Sequence, residues 1–120
     1  MRILGAGVPC SPHSDIDVLA VDRGNRLTIV DVATTIDDRL LIRGIGHVDW
    51  TASNMPNVRR MHPAGAIDAG LQPRLMLVAP AFSPLLMSAL RQIAGPAVRC
   101  FVYHTVVVSD RPGIFIEPAS

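Results

Sequence analysis

The chain has 120 residues, 49% of them hydrophobic and 18% charged, with a formal net charge of +1. That length and composition predict one domain, residues 1–120, with a real core, and exclude a disordered chain. A charge so close to zero excludes strong global attraction to nucleic acid or an anionic membrane, so any such contact has to rest on a local patch. All eleven basic residues are Arg, which removes every lysine-dependent chemistry. Cys10 and Cys100 have no CxxC spacing, so neither a disulfide framework nor a zinc site is supported, and both read as reduced thiols. There is no signal-type apolar segment and no run near the ~20 apolar residues that span a bilayer. The expectation is a soluble, cytoplasmic protein with no membrane contact. High apolar content with little charge points to a surface that meets a partner, either a second copy or another protein.

Residues 1–14 hold Gly, Pro and Ser and read as an irregular lead-in, with Ile3 and Leu4 as a short edge strand. Asp15 to Thr34 reads as a hairpin. Strand formers lie on either side of Asp22-Arg23-Gly24-Asn25-Arg26, where Gly24 is placed to supply the positive φ of a tight turn. Thr35 or Asp37 then caps a helix whose apolar residues recur at Ile36, Leu40, Leu41, Ile45, Val48, Ala52 and Met55. Gly44 and Gly46 mark close packing on the sheet, and Pro56 is expected to end the helix. Residues 56–73 read as a loop with one helical turn. Arg74–Ala79 is a continuous apolar run, as in a strand buried on both faces. Ser83 caps a helix that begins at Pro84, buries Leu85, Leu86, Ala89, Leu90 and Ile93, and stops at Gly95-Pro96. Residues 97–108 form a further strand or pair of strands, 110–113 a turn, and Ile114–Glu117 a short last strand. The class is α/β, a mixed sheet with flanking helices.

Asp17 lies where the first hairpin strand begins and Asp31 where the second ends. Antiparallel pairing brings them to the same end of the sheet, where like charges repel unless water or a cation intervenes. Asp17, a turn, then Asp31-Val32-Ala33 resembles the core of the PD-(D/E)xK nuclease superfamily, the restriction-endonuclease-like fold. His47-Val48-Asp49-Trp50 is similar to the end of the following helix in that family, and Arg74–Pro80 with Phe82-Ser83-Pro84 to its later strand and helix. The similarity covers about residues 15–104. It implies Mg²⁺ or Mn²⁺ held by Asp17, Asp31 and the Val32 carbonyl, with the two acids catalytic and the metal lowering the pKa of a bound water. Two features depart from the pattern. Ala33 stands where the family has its lysine, and residues 1–14 contain no acid to supply the upstream Glu. Arg39 or Arg43 can bring positive charge but cannot act as a base.

Arg39, Arg43, Arg59 and Arg60 are the candidate nucleic-acid contacts, expected on one face near the acid pair. His47 reads as a helix-surface or partly buried side chain, Trp50 and Cys100 as core, and His104 as structural. The favoured expectation is a nuclease-fold module with a weakened catalytic centre that binds nucleic acid or a protein partner. The alternatives are an active divalent-metal-dependent endonuclease hydrolysing nucleic-acid phosphodiesters, and a structural homo-oligomer.

Overall fold

The computed structural model describes residues 1–93 and 97–119. The hairpin forms as its sequence predicts, with β2 (His13–Val21) paired antiparallel to β3 (Leu27–Val32) from Val18↔Val30 to Val21↔Leu27. Its turn is built by Asp22, whose Oδ1 accepts from the N–H groups of Gly24 (2.8 Å) and Arg26 (3.0 Å). The left-handed position is Asn25, φ 61°, and not Gly24. Asn is the side chain that tolerates that region best after Gly.

The lead-in expected over residues 1–14 is largely strand. β1 (Arg2–Cys10) pairs antiparallel with β2, whose first residues are His13 and Ser14. The Gly and Pro content that argued against a strand is absorbed by register shifts between Ile3 and Gly5 and between Val8 and Cys10, with Gly7 at φ 59°. Irregularities of this kind are characteristic of edge strands.

β3 leads into α1 (Arg39–Ser53), α2 (Met55–Met61) and a single 3-10 turn at Pro63–Gly65. The helix does not end at Pro56. It breaks at Asn54, whose N–H bonds the carbonyls of Trp50 and Thr51, and Pro56 sits in the first turn of α2. A first-turn proline loses no hydrogen bond, because that N–H has no intrahelical partner in any case. α1 buries Leu40, Leu41, Gly44, His47, Val48 and Thr51, whereas Ile36 and Ala52 are exposed. A Cβ on Gly44 would lie 2.7 Å from Leu75 Cδ2 and 3.1 Å from Leu77 Cδ2, so this glycine lets the helix settle onto the sheet.

β4 (Arg74–Ala79), α3 (Pro84–Gln92), β5 (Val98–Val108) and β6 (Arg111–Pro118) complete the chain. The expected stop at Gly95-Pro96 lies outside the described residues. Ser83 Oγ caps α3 by accepting from the Leu86 N–H at 3.0 Å. The helix packs more narrowly than its sequence suggests: Leu86 is buried, while Leu85 and Ala89 are exposed. Residues 98–108 are one strand, and the turn to β6 is Ser109-Asp110, both at positive φ (52° and 63°). That is the mirror-image two-residue turn matched to strand twist. The last strand is therefore longer than Ile114–Glu117.

The sheet has six strands in sequential order. β3, β4 and β5 are mutually parallel, and the pairs on either side are antiparallel. Both parallel connections step the same way across the sheet, so right-handed crossovers place their helices on one face. Leu75, Leu77 and Ala79 of β4 lie on that face and are buried, while Arg74 and Met76 on the other are half-buried. β4 is central, but only its helix face is fully covered. Among the described residues no helix is long and apolar enough to cross a membrane.

Leu77, wholly buried beneath Gly44, is a sensitive probe of this packing. Leu77→Ala should cost about 2–5 kcal/mol in chemical denaturation, and Gly44→Val about 1–3 kcal/mol through overpacking, whereas Leu85→Ala should be near neutral.

Candidate functional site

The site lies where β2 and β3 part. Their ladder runs to Val18↔Val30, after which β2 keeps only β1 as a neighbour and β3 only β4. The register carried one step further sets Asp17 level with Asp31. Here the carboxylates take over from the ladder. The Asp17 N–H donates to Asp31 Oδ1 at 3.3 Å, and the Val32 N–H donates to Asp17 Oδ2 at 2.8 Å. The two acids do converge as expected, interlocked through each other's strand.

Helix α1 closes the fork. Arg43, His47 and Thr51 recur every four residues and share one face. Arg43 Nη2 donates to Asp17 Oδ2 at 2.9 Å and to the Val32 carbonyl at 3.0 Å. His47 Nδ1 lies 2.6 Å from Asp31 Oδ2, and its Nε2 lies 2.6 Å from the Ser14 carbonyl. A carbonyl only accepts, so Nε2 carries a hydrogen, and the carboxylate takes the hydrogen on Nδ1. Acceptors facing both ring nitrogens favour the imidazolium. Thr51 Oγ1 donates to the His47 carbonyl at 2.7 Å, holding the next turn. His47 and Asp31 are both 0% exposed, whereas Arg43 and Asp17 keep 35% and 39% of their side-chain surface.

Burial by itself would push the His47 imidazole down. The hydrogen bond and charge of Asp31, with the Ser14 carbonyl, outweigh it and hold the pKa above the ordinary 6.5. The like-charge repulsion expected between Asp17 and Asp31 is therefore met by two protein cations. His47 is central to the site although its sequence context reads as surface or partly buried helix. The signal that marks it is its spacing of four from Arg43 on the face that also carries Leu40 and Gly44.

These positions do not fit a divalent ion. Asp31 spends one oxygen on a backbone N–H and the other on an imidazolium, and the Val32 carbonyl and Asp17 Oδ2 both hold Arg43. Among the described residues no cluster of three or more His, Cys, Asp or Glu side chains is placed to hold a metal. Ala33 lines a recess of about 450 Å³ with Val32, Thr34, Thr35, Arg39 and Arg43.

The four candidate arginines do not share one face near the acids. Arg39 and Arg43 line this recess. Arg59 and Arg60 lie beyond the break at Asn54, in a second recess of about 620 Å³ with His62 and Ile67. Arg39 pairs with Asp37 at 3.0 Å on an exposed surface and holds that carboxyl below its usual range. Arg60 bonds Asn57 Oδ1 at 2.6 Å.

Because the folded pKa of His47 is raised, the stability it contributes is fully present below pH 6.5 and is lost as pH rises through the folded value. Unfolding free energy should fall as pH rises above 6.5, and His47→Gln should flatten that slope. Asp31→Asn should destabilise by about 3–5 kcal/mol by leaving the imidazolium unpaired in the interior. Relief of acid–acid repulsion would produce the opposite sign.

No protein-family model matches the sequence, and no curated protein matches it. Two solved structures are similar in fold. One is a repair endonuclease from Pyrococcus abyssi, with TM-score 0.56 and 18% identity, over 82% of this chain and 37% of that one. The other is the EndoMS–dsDNA2 complex, with TM-score 0.57 and 15% identity, over 82% of this chain and 35% of that one. The chain thus spans little more than a third of the length of either. At such identities the likeness is one of fold: an α/β mixed six-stranded sheet with flanking helices, shared with these two structures.

Proposed function

We propose that this chain is a nuclease-fold module that binds nucleic acid without cutting it. Arg43 is the observation that carries this reading. Its Nη2 sits 2.9 Å from Asp17 Oδ2 and 3.0 Å from the Val32 carbonyl, two of the three donors a nuclease of this fold would give its metal. The third donor, Asp31, is committed to His47. A guanidinium neutralises the acids but offers no vacant coordination position and does not lower the pKa of a water as a divalent ion does. With Ala33 at the lysine's position, nothing in the fork can activate a nucleophile.

Arg39 and Arg43 instead make the fork's recess a place for phosphate oxygens, held by charge-assisted hydrogen bonds. The recess lies past the carboxyl end of β3, the side of an open α/β sheet where ligands bind. The shared fold with the EndoMS–dsDNA2 complex favours nucleic acid over a purely structural role.

Fluorescence anisotropy with a short duplex and a single strand, at about 50 and 200 mM salt, tests the binding. Affinity should fall steeply with salt, and Arg39→Ala should weaken it and flatten the salt slope by roughly one for the lost phosphate contact. No binding at low salt would favour the structural homo-oligomer. Labelled duplex incubated with Mn²⁺ should stay intact; cleavage that disappears in Asp31→Asn would establish the active endonuclease instead. In thermal melts Mn²⁺ should leave the wild type unmoved and stabilise Arg43→Ala, where Asp17 and the Val32 carbonyl are released, by about 2.7 kcal/mol at a hundredfold excess over Kd.

A further inference from the structure

Beyond the helices the sheet continues as an arm with no cover among the described residues. Val106, Val107, Val108, Ile114, Phe115 and Ile116 are each between 39 and 73% exposed. The β5–β6 register puts Val106, Val108 and Phe115 on one face of the arm, and Val107, Ile114 and Ile116 on the other. Both faces are apolar, so one layer packed against a single face would leave the other in water. Together these side chains present an apolar area on the order of 600 Å². It is divided between the two faces, so a strand added at the free edge, flanking both, reaches more of it than a layer packed on either one. β6 is also a sheet edge, with β5 on one side and no strand on the other among the described residues.

We propose that this arm is a dimer contact, in which β6 pairs antiparallel with β6 of a second copy about a twofold axis at Ile114. A twofold contact has to be self-complementary, each residue meeting another that it also receives. In this register Arg111 stands opposite Glu117 of the partner subunit, and the reverse pair forms across the axis. Phe115 stands opposite the partner's Gly113, where the missing side chain leaves room for a ring. The arm's acid and base thus lie at equal distances on either side of Ile114. Glu117 already lies along the arm, 3.1 Å from His104 Nε2. The ladder then runs from residue 111 to 117, with Pro112 lacking a donor N–H inside it and Pro118 lacking one just past its end, which disfavours slipped registers. The sheet's other edge, β1, is broken by register shifts and by Gly7 at positive φ, so pairing closes at two copies and does not propagate.

The inference is independent of nucleic-acid binding. Sedimentation equilibrium over a concentration series to roughly 100 µM reads it directly. The wild type should dimerise. Arg111→Glu and Glu117→Arg should each raise the dimer Kd by about tenfold or more, since each symmetric contact then faces like charges twice. Arg111→Glu/Glu117→Arg in one chain should restore dimerisation. Ile114→Asp should leave a folded monomer, checked by circular dichroism. A wild type that stays monomeric throughout would overturn the proposal. So would a dimer indifferent to all four variants, or one that the double swap fails to restore.

Discussion

Asp31 and His47 meet with no solvent around either side chain, and a charge pair so placed is worth keeping only if every remaining polar atom is satisfied. It is. The imidazolium has the Ser14 carbonyl on its far nitrogen, and the carboxylate has the Asp17 N–H on its other oxygen. Taking two ions out of water costs several kcal/mol per ion, so the pair's net gain over apolar residues of the same size is small. Its effect is on geometry. One side chain of α1 is tied to both β2 and β3, which fixes the helix's height and rotation over the sheet. A one-residue slip of β3 would turn Asp31 to the other face and strand the imidazolium.

Other features follow from that docking. Gly44 lies one turn before His47, where the helix passes closest to Leu75 and Leu77. Arg43, beside it, is delivered to the mouth of the fork, reaching Asp17 and the Val32 carbonyl. The inner ion pair is sealed and the outer one partly wet. The inner pair therefore acts on the fold, and the outer pair and the recess beside it are what a ligand can reach. Two carboxylates that look like a metal site in sequence are each one half of an ion pair.

The cover of the sheet is uneven for a topological reason. Sequential strand order with two parallel crossovers in the same direction puts every helix on one side. The opposite face is left with half-buried Val30, Met76, Phe101 and Tyr103, and the last hairpin extends past the helices altogether. The apolar excess in the composition is located there, on an edge and an arm, and not in an enlarged core.

The sequence by itself determined the elements whose cause is local. Asp22 and its neighbours specify the hairpin turn, Ser83-Pro84 the start of α3, and the 74–79 run the central strand. Each depends on residues a few positions apart. The convergence of Asp17 and Asp31 was legible for the same reason, since a tight turn fixes which strand ends meet. Other elements depend on partners distant in the chain, and only the tertiary structure decided them. Residues 2–10 become a strand because β2 offers an edge, despite their Gly and Pro. Leu85 and Ala89 of α3 stay exposed because the helix docks through Leu86, with Met87 and Leu90 beside it. The role of the acids changed most. Local pattern set two carboxylates side by side, but which cation answers them depended on how α1 lies across the sheet. The docking of that helix puts Arg43 and His47 there.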